Sequence, residues 1–124
     1  MIEITKEQFE DIVLKAFSRI PINFHKILNN IDVSLEDWPS EEQIASMDLS
    51  SRYELYGLYS GIPLNERGYV ETATPNLIIL FQGPIQSACD SMEEITNQIE
   101  TTLLHEIGHY IGLDEEILTH LGYG

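Results

Sequence analysis

Residues 91–115 read SMEEITNQIETTLLHEIGHYIGLDE, and this stretch decides how the chain folds. Its apolar residues recur every three or four positions, a spacing that places them on one face of an α-helix. Ser91 is followed three residues later by Glu94, which predicts a capping box at the helix start. Gly112 stands where a helix end favours a left-handed residue. We therefore expect one long helix from Ser91 to about Ile111. Its predicted inward face comprises Ile95, Ile99, Leu103 and Ile107, with Leu104 beside them.

Near the end of this predicted helix, two histidines lie four residues apart. His105 and His109 differ by about 40° around a helix axis and lie about one turn apart, so both imidazoles project from one face. Such a pair can bind one zinc ion. Glu106 lies about 100° round from His105, too far to be a third ligand there, but well placed to hold a water molecule beside the ion. This is the HExxH zinc signature, in which the glutamate is the general base.

A catalytic zinc site needs a third protein ligand. Once Gly112 ends the helix, the following residues are expected to fold back towards the helix axis. Glu115, six residues after His109, occupies the third-ligand position of the extended motif. Asp114 and His120 are alternatives, and so is a site left open at this position. The predicted site consists of three metal ligands and one catalytic base: His105, His109 and Glu115, with Glu106.

Outside this stretch, the sequence predicts shorter elements that together make an α+β fold with segregated helices. Capping-box patterns at Thr5 and Ser40 predict helices that begin at those residues. Leu77–Phe81 is apolar on both faces, which predicts a strand covered on both sides, and Gly83-Pro84 is expected to end it. The helix from Ser40 is expected to extend to about Met47, and the other expected helices cover about 22–28 and 115–121. The expected strands cover 31–35, 53–59 and 76–82.

Composition restricts the classes of partner. The chain carries 21 Asp and Glu against 6 Lys and Arg, a formal net charge of −15. This balance argues against nucleic acid and anionic membrane surfaces, because phosphate binding needs clustered Lys and Arg. If the acidic surface selects a partner, we expect it to select basic peptides or proteins.

The length favours a single domain over residues 1–124. The cysteine usage favours the cytoplasm, and we expect the protein to act as a monomer. The longest apolar run is far shorter than the ~20 residues that a membrane span needs. No basic leader followed by an apolar stretch is visible at the N-terminus, so we expect no signal peptide. Cys89 is the one cysteine of the chain, which excludes an intramolecular disulfide and fits a reducing compartment.

The segment Thr102–Glu116 resembles the C-terminal signature of the zincin-like minimal metallopeptidase family, small bacterial zinc proteases of about this length. The likeness extends to residues 58–64, to Arg67 and to the strand at 77–81, and it is weaker before residue 50. The resemblance implies a compact minimal zincin-like fold with a small mixed sheet and an active-site helix near the C-terminus. It also implies zinc bound by the two histidines and a following acid.

The chain departs from the family pattern at that acid. The family usually has Asp at this position, whereas this chain has Glu115 with Asp114 just before it. The third ligand therefore stays open between them. The motif is also similar to that of metzincins, but no Met follows Met92, so their methionine-containing turn is absent.

Two functions fit these observations. The first is a zinc-dependent peptidase that cleaves peptide or protein substrates, with the substrate extended along a strand edge. Tyr59, Tyr110 and Tyr123 are candidates to stabilise the oxyanion beside the zinc. The alternative is a non-catalytic zinc-binding structural or interaction module, favoured by the short segment after Glu115. Nickel, cobalt or iron could occupy the same ligands.

Overall fold

The computed structural model describes residues 2–20, 31–61, 76–120 and 122. These ranges contain five α-helices, one 3-10 helix and a three-stranded sheet. In chain order the elements are α1 (Lys6–Ser18), β1 (Ile31–Glu36), α2 (Glu41–Ser46), a 3-10 helix (Arg52–Glu54), β2 (Gly57–Ser60), β3 (Asn76–Phe81), α3 (Gln82–Ser87), α4 (Met92–Ile111) and α5 (Glu115–His120). The predicted α+β class is confirmed, while the helix expected over 22–28 lies outside the described residues.

The sheet is mixed, with strand order β1-β3-β2. Central strand β3 runs parallel to β1 and antiparallel to β2. Its side chains alternate between two apolar clusters, with Ile78 and Leu80 in the larger cluster and Ile79 and Phe81 in the smaller one. Because β3 is buried on both faces, the prediction of a covered strand is confirmed.

Helix α4 places the long apolar pattern against the sheet and α1. Its predicted inward face is confirmed, since Ile95, Ile99, Leu103 and Ile107 are at most 6% exposed, and Leu104 is partly buried against the same cluster. Helix α1 packs against α4 and contributes buried apolar residues to this cluster. These apolar residues of α1 are Phe9, Val13 and Ala16.

The helix starts follow the predicted caps with one difference. Thr5 and Ser40 each form a complete capping box. At α4, the Ser91 hydroxyl accepts from the Glu94 N–H at 3.1 Å, as predicted. The Glu94 carboxylate, however, accepts from the N–H of Asp90, one residue earlier than a capping box requires.

The strand predicted over 53–59 is wrong in its first half. Residues Arg52–Glu54 form a 3-10 helix, and β2 begins only at Gly57. The Ser51 hydroxyl accepts from the Tyr53 N–H, and the Glu54 carboxylate accepts from the Ser51 N–H, which completes a capping box. These local hydrogen bonds offer the backbone an alternative to strand pairing. The aromatic residues of this segment indicated a strand and gave no sign of these bonds.

The predicted end of the strand before Gly83-Pro84 is confirmed to within one residue, and a short helix that the sequence did not predict follows it. Strand β3 ends at Phe81, and α3 begins at the next residue, Gln82. Pro84 lies in the first helical turn, where a backbone N–H has no helical partner to lose. In the part of the chain that the structure describes, no helix combines the length and apolarity needed to cross a bilayer.

Candidate metal centre

The last two turns of α4 bring both histidines to one point. The His105 and His109 Nε2 atoms lie 3.0 Å apart. This follows from the four-residue spacing, which stacks the side chains about one turn apart on one helix face. Both side chains are partly buried, with exposures of 18% and 26%, so the ring nitrogens face a recess while remaining reachable from solvent.

Gly112 turns the chain back over these rings. It adopts φ 96°, the left-handed conformation that favours glycine. The Leu113 N–H donates to the Gly108 carbonyl at 2.9 Å, and the Gly112 N–H donates to the His109 carbonyl at 3.1 Å. These two bonds make a Schellman end to α4, so the predicted role of Gly112 is confirmed.

Helix α5 then presents Glu115 to the histidines. The Glu115 Oε1 atom lies 2.9 Å from His109 Nε2 and 3.3 Å from His105 Nε2. Among the described residues, these three side chains form the group in which ligand atoms converge as a metal site requires. The structure therefore brings together all three of the predicted metal ligands.

The two alternative ligands lie apart from this group. The Asp114 carboxylate accepts from the Ile117 N–H at 2.9 Å, the bond that an N-cap residue makes at a helix start. His120 is an exposed residue at the end of α5. Neither belongs to the convergent group. The capping bond explains why Asp114, although adjacent to Glu115, has its carboxylate directed along its own helix.

The chemistry of the three donors suits zinc. Two imidazole nitrogens and one carboxylate oxygen are a ligand set that zinc prefers, at about 2.0–2.2 Å from the ion. Around a tetrahedral ion, ligands at that distance lie about 3.3 Å from one another. The three separations observed here are 2.9, 3.0 and 3.3 Å, so these side chains could hold one ion with little adjustment.

Glu106 lies next to the three proposed metal ligands and is less exposed to solvent than any of them. Its carboxylate is 3.9 Å from His105 Nε2, and the residue is only 7% exposed. Burial raises the pKa of this carboxyl, while the neighbouring histidines and a hydrogen bond from the Tyr59 backbone N–H act to lower it. A partly desolvated carboxylate beside a metal site is well suited to accept a proton near neutral pH.

A groove crosses the site. Two adjoining cavities, of about 380 and 340 Å³, share Met47, Glu106, His109 and Glu115 in their walls. Sequence reasoning missed Met47, which the short helix α2 brings to the groove. No spacing rule relates Met47 to α4, because the two meet only through tertiary packing.

The tyrosines predicted as oxyanion stabilisers have different surroundings. Tyr110 is 1% exposed and packs edge-on against Tyr59, so it belongs to the core. The Tyr59 hydroxyl donates to the Asn76 side-chain carbonyl at 2.9 Å, although Tyr59 also borders the groove. Its backbone N–H donates to Glu106. Tyr123 lies outside the described residues.

Comparison with known proteins places the chain in a family. No curated protein sequence matches it significantly. The profile of the zincin-like metallopeptidase family, in contrast, matches residues 28–123, which is most of the chain and includes both histidines, Glu106 and Glu115. The matched region also contains the whole sheet and α4, the elements that carry the site. The chain belongs to the zincin-like metallopeptidase family.

Proposed function

We propose that this protein is a zinc-dependent peptidase in which His105, His109 and Glu115 hold the ion and Glu106 is the general base. The observation that carries the proposal is the convergence of three ligand atoms, 2.9–3.3 Å apart, beside a buried carboxylate in a groove. Family membership supports the same reaction class. Three protein ligands are the number found in catalytic zinc sites, whereas structural sites are closed by four.

Zinc, when bound, supplies a Lewis acid that polarises the peptide carbonyl and makes a water molecule more acidic. The chain supplies the proton transfers. Glu106 accepts a proton from the attacking water and delivers it to the amine nitrogen as the peptide bond breaks. Because burial raises the pKa of Glu106, its carboxylate is a stronger base than an exposed glutamate, which favours the first transfer.

The groove supports an extended peptide as substrate. Strand β2 lies at one side of the described sheet, and its residues Leu58 and Tyr59 border the groove. Strand β1 lies on the far side of β3, so β2 is the strand that lies beside the groove, and we expect the substrate to extend along the groove next to it.

The charge of the groove supports basic substrates. Besides Glu106 and the proposed zinc ligand Glu115, its described walls contain the carboxylates of Glu54 and Asp114 and no lysine or arginine. Hydrogen bonds from Ser50 and Ser51 lower the pKa of Glu54, which keeps that carboxylate charged. Together with the net charge of −15, this favours peptides carrying Lys or Arg.

The test compares wild-type protein with Glu106→Gln after both are loaded with zinc. We expect wild type to cleave peptides from a mixed-sequence library, and Glu106→Gln to lose cleavage by at least about 100-fold, the lower range for general base catalysis. Zinc content should be equal in the two proteins. Glu116→Gln is the matched control, because Glu116 is an exposed neighbour of Glu115 outside the convergent group.

The same library tests the preference for basic substrates. Peptides with Lys or Arg near the cleaved bond should react faster than matched Glu peptides, with a difference that shrinks as salt is added. A zinc-loaded wild type that cleaves no peptide contradicts the peptidase proposal and favours a zinc-binding interaction module. Equal cleavage of basic and acidic peptides contradicts the charge preference alone.

A further inference from the structure

Strand β2 lies directly against α4 at the position of the proposed base. The Tyr59 backbone N–H donates to the Glu106 carboxylate, and β2 packs against α4. Tyr59 pairs with Ile78 of β3 in the antiparallel register. The hydrogen bond therefore holds Glu106 against β2, and β2 in turn pairs with the central strand β3.

The direction of the Tyr59 N–H follows from strand alternation. The Phe81 N–H of β3 donates to the Tyr56 carbonyl at 2.9 Å. Successive residues of an antiparallel strand direct their N–H groups to opposite sides, so Leu58 also faces β3. Gly57 and Tyr59 then direct their N–H groups away from β3, which leaves the Tyr59 N–H available to Glu106.

The close approach of β2 to α4 depends on the absence of a side chain at Gly57. A Cβ atom at this residue would lie 2.7 Å from Thr102 Cγ2, 3.2 Å from the Ile79 carbonyl oxygen and 3.3 Å from Glu106 Cγ. Carbon atoms normally pack at about 3.5–4.0 Å, so a methyl group would move β2 and α4 apart locally by about 1 Å. A hydrogen bond lengthened by that amount is lost.

We propose that Gly57 is a positioning residue, whose missing side chain lets β2 approach α4 so that the Tyr59 N–H holds the Glu106 carboxylate in place. The inference rests on the proposed function, in which Glu106 is the base. An unbranched glutamate otherwise samples several rotamers, and fixing one of them has an entropic cost that this bond offsets. A misplacement of about 1 Å in a reacting group can lower a rate about 100-fold.

The test is a double-mutant cycle at the closest of these contacts, the one between residue 57 and Thr102 Cγ2. Gly57→Ala introduces the methyl group, and Thr102→Ser removes the Cγ2 atom that the methyl would meet. The serine keeps the hydroxyl oxygen that accepts from the Gln98 side-chain amide at 3.0 Å. We expect Gly57→Ala to lower kcat about 10- to 100-fold with KM and zinc content unchanged. The double variant should recover most of kcat relative to Thr102→Ser alone.

A second measurement does not require activity. Amide hydrogen exchange at Tyr59, followed by NMR in zinc-loaded protein, should be slow in wild type and at least about tenfold faster in Gly57→Ala and in Glu106→Ala. Exchange at Leu58, which faces β3, should not change. If Gly57→Ala does not fold, Glu106→Ala still removes the acceptor and makes the same prediction.

The outcomes separate this inference from the peptidase proposal. Wild-type protein that binds zinc but cleaves nothing contradicts the proposed function, while Tyr59 exchange still reports on the positioning contact. Unchanged Tyr59 exchange in Glu106→Ala overturns the inference, even if wild type is an active peptidase. A Gly57→Ala protein with full kcat also overturns it, and so does a loss of kcat that Thr102→Ser does not reverse.

Discussion

The two faces of helix α4 are built by different physical means. The inward face is buried, with Ile99 and Leu103 at most 1% exposed, and it is held by burial of apolar area, which is not directional. The groove face, with His105 and His109, depends on particular directions of side chains and is held by the left-handed end at Gly112. The core therefore sets where the helix lies, whereas the helix end sets what its last two turns can bind.

The largest expected effect tests the inward face. Leu103→Ala removes most of a buried side chain and should lower the free energy of unfolding by about 2–5 kcal/mol. Leu14→Ala makes the same chemical change where the side chain is 62% exposed, and should change stability by less than about 0.5 kcal/mol. Urea denaturation of both metal-free variants measures the difference. Similar effects in the two variants would contradict the assignment of Leu103 to the core.

The next effect tests the groove face by separating the two acids that follow Gly112. Glu115→Gln removes a charged ligand and should weaken zinc binding at least about 10- to 100-fold, since loss of even an outer-shell partner costs that much. Asp114→Asn should leave zinc affinity close to wild type, because asparagine also caps helices well. Competition with a metal indicator measures both affinities. A greater loss in Asp114→Asn would make Asp114 the third ligand.

The smallest effect tests whether the groove face reduces stability. Burial raises the pKa of Glu106 in the folded metal-free protein, so the folded state holds this proton to higher pH than the unfolded state does. Protonated Glu106 makes its full contribution to stability below the pKa that the carboxyl has in the unfolded state. This contribution is lost as pH rises through the pKa of the folded state. Glu106→Gln should therefore melt a few degrees above wild type at neutral pH, with the difference shrinking towards acid pH.

The control for this melting comparison is Glu10→Gln, at an exposed position of α1. It should leave the melting temperature nearly unchanged across the same pH range, because an exposed carboxylate has no desolvation to relieve. If Glu106→Gln melts below wild type at neutral pH, the carboxylate contributes more through its hydrogen bond than burial costs. The groove face would then stabilise the fold.

Local signals in the sequence predicted one part of the site well. The four-residue spacing of His105 and His109, the glycine at 112 and the acid at 115 all act within about two turns of helix, where geometry follows directly from spacing. The same is true of the apolar face of α4 and of the caps at Thr5 and Ser40. These features need no knowledge of the rest of the fold.

The parts that sequence reasoning missed depend on contacts between distant segments. The hydrogen bond from Tyr59 to Glu106 joins β2 to α4, and no spacing rule relates these residues. Gly57 did carry a signal, because glycine inside a strand indicates close backbone approach, but its partner could not be read from the chain. The 3-10 helix at Arg52–Glu54 was missed because hydrogen bonds accepted by the Ser51 hydroxyl and the Glu54 carboxylate outcompete the strand preference of its aromatic neighbours.

The zinc content of purified protein tests the central claim most directly. Wild type, His105→Ala and His109→Ala would be loaded with zinc, dialysed against metal-free buffer and analysed for metal per chain. The account predicts one zinc per wild-type chain and almost none in either variant, because both rings hold the same ion. Wild-type protein that takes up no zinc, or a variant of either histidine that keeps a full equivalent, would contradict it.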